Sequence, residues 1–215
     1  MTASRAQAIR VLAGVNGAGK SSIGGRFLEE AGSDYYNPDE AARQIRSLHP
    51  RITPEAANGQ AWQIGRDLLE QSITQSFAFA FETTLGGKTI TALLQRAAEA
   101  GRPIEMWFAG LASIDLHLQR VADRVRKGGH PIPEVAIRQR WTRSRENLVT
   151  LLPHLHHLRL FDNSREADPS SGERPSPELL LEMIDRRITA PANLRHVRDW
   201  AKPLIAAAAN LHGRK

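Results

Sequence analysis

Short apolar runs alternate along this chain with longer stretches whose apolar residues recur every three or four positions. The run IRVLA at 9–13 ends at a glycine and predicts a buried strand. Residues 21–31 follow as a helix with Ile23, Phe27 and Leu28 on one side. DYYN at 34–37 predicts a short second strand, and Pro38 then suits the first turn of a helix carrying Ala41, Ala42 and Ile45. Residues 54–74 read as a longer helix, with Ala57, Ala61, Ile64, Leu68 and Ile73 in phase. SFAFAF at 76–81 predicts a third strand, ending at Glu82. Residues 87–100 are helical and stop at Gly101. PIEMWFA at 103–109 is a fourth strand. A helix over 113–127 then breaks at Gly128 and Gly129, and a long helix over 133–152 breaks at Pro153. HLRLF at 157–161 is a fifth strand, ending at Asp162. A polar loop is expected over 168–177 and a further helix over 177–188. The tail after Pro191 is weakly patterned: 206–209 suits a helix, while Pro203 and the closing Gly-Arg-Lys suggest fraying.

Strands separated by helices predict an α/β fold, a mainly parallel five-stranded sheet with helices on both faces. The expected organisation is one domain over 1–189 and a tail over 190–215, partly helical or frayed. At 215 residues and 41% hydrophobic content the chain can bury a sizeable core. The absence of cysteine excludes disulfides, a thiolate nucleophile and a Cys-ligated zinc. The longest stretch without Asp, Glu, Lys or Arg is 12 residues, 147–158, too short to span a membrane. No signal-peptide pattern opens the chain, so a cytoplasmic location is expected.

Charge changes the picture locally. The net charge is +6, and residues 120–145 carry eight cations, seven of them arginine, against only Asp123 and Glu134. Such a cluster points to a polyanion, either a nucleotide phosphate or a nucleic-acid backbone, unless it is a solvated helix face. Arginine in excess of lysine favours phosphate, which a guanidinium binds with two parallel hydrogen bonds.

One motif sets the class. Gly14-Val-Asn-Gly-Ala-Gly-Lys-Ser21 satisfies GxxxxGK[ST] at every fixed position, between a predicted strand and a predicted helix. Residue frequencies put a chance match anywhere in the chain below about 1%. Its glycines let backbone N–H groups curl around phosphate oxygens, and the helix adds its positive end. The candidate nucleotide contacts are Gly14, Asn16, Gly17, Ala18, Gly19, Lys20, Ser21 and Ser22, with Lys20 reaching the terminal phosphates and Ser21 ligating Mg²⁺. The fold is therefore expected to be that of a P-loop NTPase binding ATP. No NKxD motif is present to read guanine, and the chain is short for a motor. A compact P-loop protein with an arginine-rich region after its fourth strand fits a small-molecule kinase. Such an enzyme also needs a carboxylate for the acceptor hydroxyl. Placement at the carboxyl ends of strands leaves Asp39, Glu82 and Asp162 as candidates.

The segments AGVNGAGKSS, NPDE at 37–40 and FETTL at 81–85 together resemble the zeta toxin family of P-loop kinases. RVADRVRKGGHPIPEVAIRQRW at 120–141 and LFDNS at 160–164 resemble that family's chromosomal branch. The resemblance runs from about Ile9 to Ser164. It implies an ATP-dependent phosphotransferase acting on the 3′-hydroxyl of UDP-N-acetylglucosamine, neutralised by a small antitoxin. It also implies Lys20 and Ser21 on ATP and Mg²⁺, Asp39 as catalytic base, and Glu82 with Thr83 and Thr84 on the sugar nucleotide. Arg120, or Arg124 one turn on, takes the place of the first phosphate-clamping arginine. The second falls where this chain has His130, with Arg138 and Arg140 as alternatives.

Other acceptors, another nucleotide or a small metabolite, fit the same chemistry. A nucleotide-dependent nucleic-acid-binding protein using 120–145 is the alternative from a different class, but only Trp141 interleaves with its arginines. An antitoxin, if one exists, is expected as a separate chain. Trp107 and Trp141 read as core, and His154, His156 and His157 as a surface turn rather than a metal site.

Overall fold

Within each central strand, alternate residues enter two different cores, and this sorting sets the layers. In the computed structural model, which describes residues 7–31, 35–165, 176–190 and 197–212, β1 (Ile9–Ala13) sends Ile9, Val11 and Ala13 to one face and Leu12 to the other. The chain then runs through α1 (Lys20–Ala31), α2 (Pro38–Leu48), α3 (Pro54–Gln75), β2 (Phe79–Thr83), α4 (Lys88–Glu99) and β3 (Ile104–Gly110). It continues through α5 (Ile114–Arg126), α6 (Glu134–Leu151), β4 (His157–Asp162), β5 (Glu178–Ile184), β6 (Arg187–Ala190) and α7 (Lys202–His212).

The sheet order is β2-β1-β3-β4-β5-β6. The first four strands are mutually parallel, and β5 and β6 are antiparallel additions beyond β4. The larger core lies on one face, where α3, α4, α6 and α7 bury Leu69, Leu94, Leu148 and Leu204 against the strands. On the other face α1 packs Ile23 and Phe27 against Leu12, Trp107 and Phe161. Because β1 has β2 on one side and β3 on its other side, the carboxyl end of β1 is a switch point of the topology. Open parallel sheets place ligands there.

Three expectations are corrected. The second strand expected at 34–37 is a single bridge, Tyr36 to Phe81, because Asn37 already caps α2 and turns the chain away. The helix expected at 177–188 is the β5–β6 hairpin, turned by Asp185 and Arg186 at φ 47° and 63°. The edge of β4 supplies backbone partners from His157 to Asp162, and this pairing overrides the helix propensity of Leu, Glu and Met. The sheet therefore has six strands, not five. In the tail, the helix expected at 206–209 is present as α7, and Trp200 just before it, with Leu204, Ile205 and Ala208 on it, belongs to the larger core. The polar loop expected at 168–177 lies almost entirely outside the described residues, as does the chain end at 213–215. No helix among the described residues is long and apolar enough to cross a membrane.

Candidate active site

The glycine-rich loop after β1 curls because three of its residues have no side chain. Gly14, Gly17 and Gly19 sit at φ 145°, 83° and 73°. A Cβ on Gly14 would lie 2.4 Å from the backbone oxygen of Ala109 on β3, and one on Gly19 2.1 Å from Asn163 Nδ2. The loop is thus wedged between β3 and the residue that follows β4. Asn163 Nδ2 also donates to Ala18 O at 2.9 Å, which fixes the second half of the curl. Lys20, 9% exposed at the start of α1, folds its ammonium back to Gly14 O at 2.7 Å and stands 3.5 Å from Glu82 Oε1. Ser21 follows on the first turn and is exposed, as is Ser22.

The two leading carboxylate candidates converge on this loop. Glu82 is at the carboxyl end of β2, and its Oε2 accepts from Asn37 Nδ2 at 3.4 Å. Asn37 also works in the other direction, since its Oδ1 accepts from Asp39 N at 2.9 Å and caps α2. Asp39 is thereby held on the first turn, half exposed, with Oδ2 3.9 Å from Arg124 Nη1. The backbone oxygen of Thr83 accepts from Gly14 N at 3.2 Å and its hydroxyl accepts from Leu85 N, while Thr84 is partly exposed in the turn beyond. Beside them Tyr35, Tyr36, Asn37, Glu40, Ala41 and Gln44 line an open groove of about 360 Å³. Asp162, the third carboxylate candidate, faces elsewhere. It is 3% exposed and accepts from Trp200 Nε1 at 2.7 Å and Ser164 N at 2.8 Å.

The basic segment 120–145 is not a solvated stripe. Arg126 and Arg138 do pair locally, with Asp123 and Glu134. Arg124, Arg140 and Arg145 instead turn inward. Arg124 buries Nε and Nη2 without a hydrogen-bond partner, its backbone and aliphatic stem covered by the Gly129 turn. Arg140 donates from Nη1 to Asn16 Oδ1 at 2.7 Å and packs against Gly86. Burial lowers its pKa, an effect the negative charge of Asp39 partly opposes. Arg145 stacks over Trp141, 3.6 Å from the ring centroid. Arg120, partly exposed, donates from Nη2 to Arg165 O at 3.3 Å. His130 lies partly exposed in the loop between α5 and α6 and, unlike Arg140, is not brought to the phosphate loop by a hydrogen bond.

The sequence pattern singles out the loop, Asp39 and Glu82 but not Asn37, His117 or Asn163 as partners. Asn37 carries a usable signal, an Asn-Pro-Asp helix start one residue after a bridge to β2. Asn163 directly follows β4, whose carboxyl end lies beside the loop. His117 carries none beyond its place on the α5 stripe with Val121. A cation-ligand fit is confined to Ser21 and the nearby carboxylates: among the described residues no three His, Cys, Asp or Glu side chains cluster to hold a metal. Of the three expected surface histidines, His154 and His156 lie partly exposed in the turn before β4, and His157 does not. His157 is buried on β4 with Nε2 2.9 Å from Glu182 Oε1, and His156 Nδ1 pairs with Asp185 at 2.7 Å.

Comparisons with known proteins agree with this geometry. The sequence model of the zeta toxin family matches residues 1–168. A protein of Haemophilus influenzae described as uncharacterized is 32% identical over 128 residues, 60% of this chain and 88% of its own. The AvrRxo1-ORF1:AvrRxo1-ORF2 complex with sulphate ions matches with a TM-score of 0.62 at 16% identity, over 94% of this chain. This chain spans 63% of the length of that one, and the same complex has been solved with ATP. The PezAT chromosomal toxin–antitoxin system of Streptococcus pneumoniae matches with a TM-score of 0.55 at 18% identity, over 81% of this chain and 77% of that one. The fold is thus that of the α/β P-loop proteins, carried on a mostly parallel sheet.

Proposed function

We propose, since the chain belongs to the zeta toxin family, that it transfers the γ-phosphoryl group of ATP to a hydroxyl of a sugar nucleotide such as UDP-N-acetylglucosamine. One observation carries this reading. The P-loop lysine, the β2 carboxylate Glu82, the α2 carboxylate Asp39 and two inward arginines from separate helices meet at the switch point of the sheet. Asp39 beside the arginines, next to the open groove at Tyr35, Tyr36 and Gln44, suits the activation of an acceptor hydroxyl more than a nucleotide switch.

The phosphates of ATP fit the cradle at Gly14, Gly17 and Gly19, with Lys20 and the Arg124 guanidinium, whose Nη1 lies on the Asp39 side, as donors. The hydroxyl of Ser21 would hold Mg²⁺, which offsets phosphate charge when bound. Asp39 orients the acceptor hydroxyl and takes its proton as the oxygen attacks phosphorus. The bond from phosphorus to the β–γ bridging oxygen breaks, ADP leaves with that electron pair, and the acceptor keeps the phosphoryl group. Lys20, Arg124 and Arg140 balance the charge that develops on the transferred group. Arg140, rather than His130 or Arg138, serves as the second clamping arginine, because it alone of the three reaches the phosphate loop. Glu82, tied to Asn37 and Lys20, contacts the sugar nucleotide with Thr83 and Thr84. A separate antitoxin chain is the proposed partner.

The test is incubation of the purified protein with ATP, Mg²⁺ and UDP-N-acetylglucosamine, followed by mass spectrometry. The expected product is heavier than the sugar nucleotide by one phosphoryl group (about 80 Da) and is absent with Lys20→Ala. ATP binding without that product would overturn the acceptor and leave another nucleotide or a metabolite as substrate. Tight, salt-sensitive binding of DNA or RNA without transfer would favour the nucleic-acid reading.

A further inference from the structure

Helix α5 meets the phosphate loop at two points. His117, in the first turns of α5, is 1% exposed, and its Nδ1 lies 2.8 Å from the backbone oxygen of Asn16. A carbonyl oxygen only accepts, so Nδ1 carries the proton and Nε2 is bare. One residue further along the loop, a Cβ at Gly17 would fall 2.8 Å from His117 O and 3.4 Å from His117 Cα. The tip of the loop therefore rests on the backbone of α5 itself. From the other side Asn16 is held through its side chain, by Arg140 of α6.

We propose that His117 is a positioning residue for the nucleotide: through Asn16 it fixes the phosphate loop against α5 and sets its register with the arginines of α5 and α6. The proposal rests on the phosphate-binding role of the loop given above. Arg120 and Arg124 lie three and seven residues beyond His117 and so share its side of the helix. A shift of the loop relative to α5 would shift the phosphates relative to both guanidinium groups. The imidazole suits this position because it donates without adding charge. Lys20 from α1, Arg120 from α5 and Arg145 from α6 face it, and burial, reinforced by these cations, holds its pKa down at about 4. It stays neutral where a lysine would repel its neighbours.

The experiment measures ATP affinity by calorimetry, without acceptor, for the wild type, His117→Leu and His117→Asn. Asparagine places an amide N–H near the position of Nδ1, whereas leucine keeps apolar bulk and offers no donor. Leaving the buried Asn16 carbonyl unpaired is expected to weaken ATP about tenfold in His117→Leu, with His117→Asn within about threefold of wild type. Equal affinity of His117→Leu and wild type overturns the proposal. So does equal weakening in both variants, which would trace the effect to packing alone. Wild-type protein that fails to bind ATP would overturn the kinase reading instead. Nitrogen-15 NMR of the His117 ring tests the contact independently of nucleotide and of variant folding. The expected ring is the Nδ1–H tautomer with no titration between pH 6 and 8, roughly where an unperturbed imidazole would titrate. An Nε2–H tautomer overturns the proposal.

Discussion

Replacing Trp200 by phenylalanine isolates one polar contact at the seat of the C-terminal segment. The indole is 3% exposed, stacks on Phe108 and covers Gly110 so closely that a Cβ there would lie 2.2 Å from the ring. Its Nε1 donates at 2.7 Å to Oδ2 of Asp162, itself 3% exposed. Among the described residues its other partners are the Ser164 amide at 2.8 Å and the half-exposed Arg198 at 3.5 Å. Phenylalanine keeps most of the apolar contact and removes the donor. A buried hydrogen bond to a charged group contributes roughly 1.5–3 kcal/mol, and the smaller ring costs about 1 kcal/mol more in packing. A loss of about 3 kcal/mol in a chain of this size lowers Tm by roughly 6–12 °C. Calorimetric melting at pH 7.5, repeated at two scan rates to check reversibility, reads the shift. A fall under about 2 °C would refute the reasoning. A double-mutant cycle with Asp162→Asn separates the two contributions: coupling of at least about 1 kcal/mol is expected, and additivity would mean that packing alone holds the segment.

Three further outcomes follow from the site. Asp39→Asn should lower transfer by about 10²–10⁴-fold while leaving ATP affinity within a few-fold of wild type; loss of ATP binding, measured by calorimetry, would show that the carboxylate instead supports the fold. Arg140→Ala should lower kcat at least about a hundredfold, whereas Arg138→Ala, at a residue paired with Glu134 on an exposed turn, should leave it within about twofold; steady-state kinetics of both variants checks the contrast. His117 makes stability pH-dependent. Its pKa, about 4 in the folded chain against an ordinary value of 6.5, means that the unfolded chain binds more protons between those values. This contribution is full above pH 6.5 and fades as pH falls toward 4, amounting to about 2 kcal/mol lost between pH 7.5 and 5. Urea titrations of wild type and His117→Asn at both pH values should show a steeper pH dependence in the wild type; equal slopes would argue against the buried neutral ring.

The parallel half of the fold is legible in the sequence because its signals are local. IRVLA, PIEMWFA and HLRLF are apolar runs bounded by glycine, proline or a carboxylate, and they form β1, β3 and β4. The antiparallel half is not legible. ELLLEMI at Glu178–Ile184 is rich in good helix formers, and it is a strand because the edge of β4 lies beside it. Its turn, Asp185 and Arg186, adopts the positive φ of a tight hairpin without the Asn-Gly or Asp-Gly signature. Trp200 is equally opaque. Its seat exists because Gly110, far back along the chain, has no side chain, and no local window contains both residues.

The site divides along the same line. GVNGAGKS can be read directly, since a P-loop is one continuous segment; of the three carboxylates picked by strand-end placement, Glu82 and Asp39 stand at the site, Asp39 from the first turn of α2, whereas Asp162 is turned to Trp200. The arginines cannot be assigned from spacing in the basic segment, because charge says nothing about which side of a helix turns inward. The apolar positions of α6 do carry that information. Ile137, Ser144, Leu148 and Leu151 are its buried face, with Trp141 partly buried among them. Arg140 is three residues from Ile137 and four from Ser144, on the flank of that face, whereas Arg138 is one residue from Ile137 and turned about 100° away. An arginine on the edge of an apolar stripe can bury its stem and still present its head to the adjoining crevice. The same reasoning places His117 and Arg124 on one side of α5 with Val121. The rule that follows is to sort a cationic cluster by helical phase before counting its charge. Here that sorting separates Arg124 and Arg140, which reach Asp39 and the phosphate loop, from Arg126 and Arg138, which pair with acids one turn away.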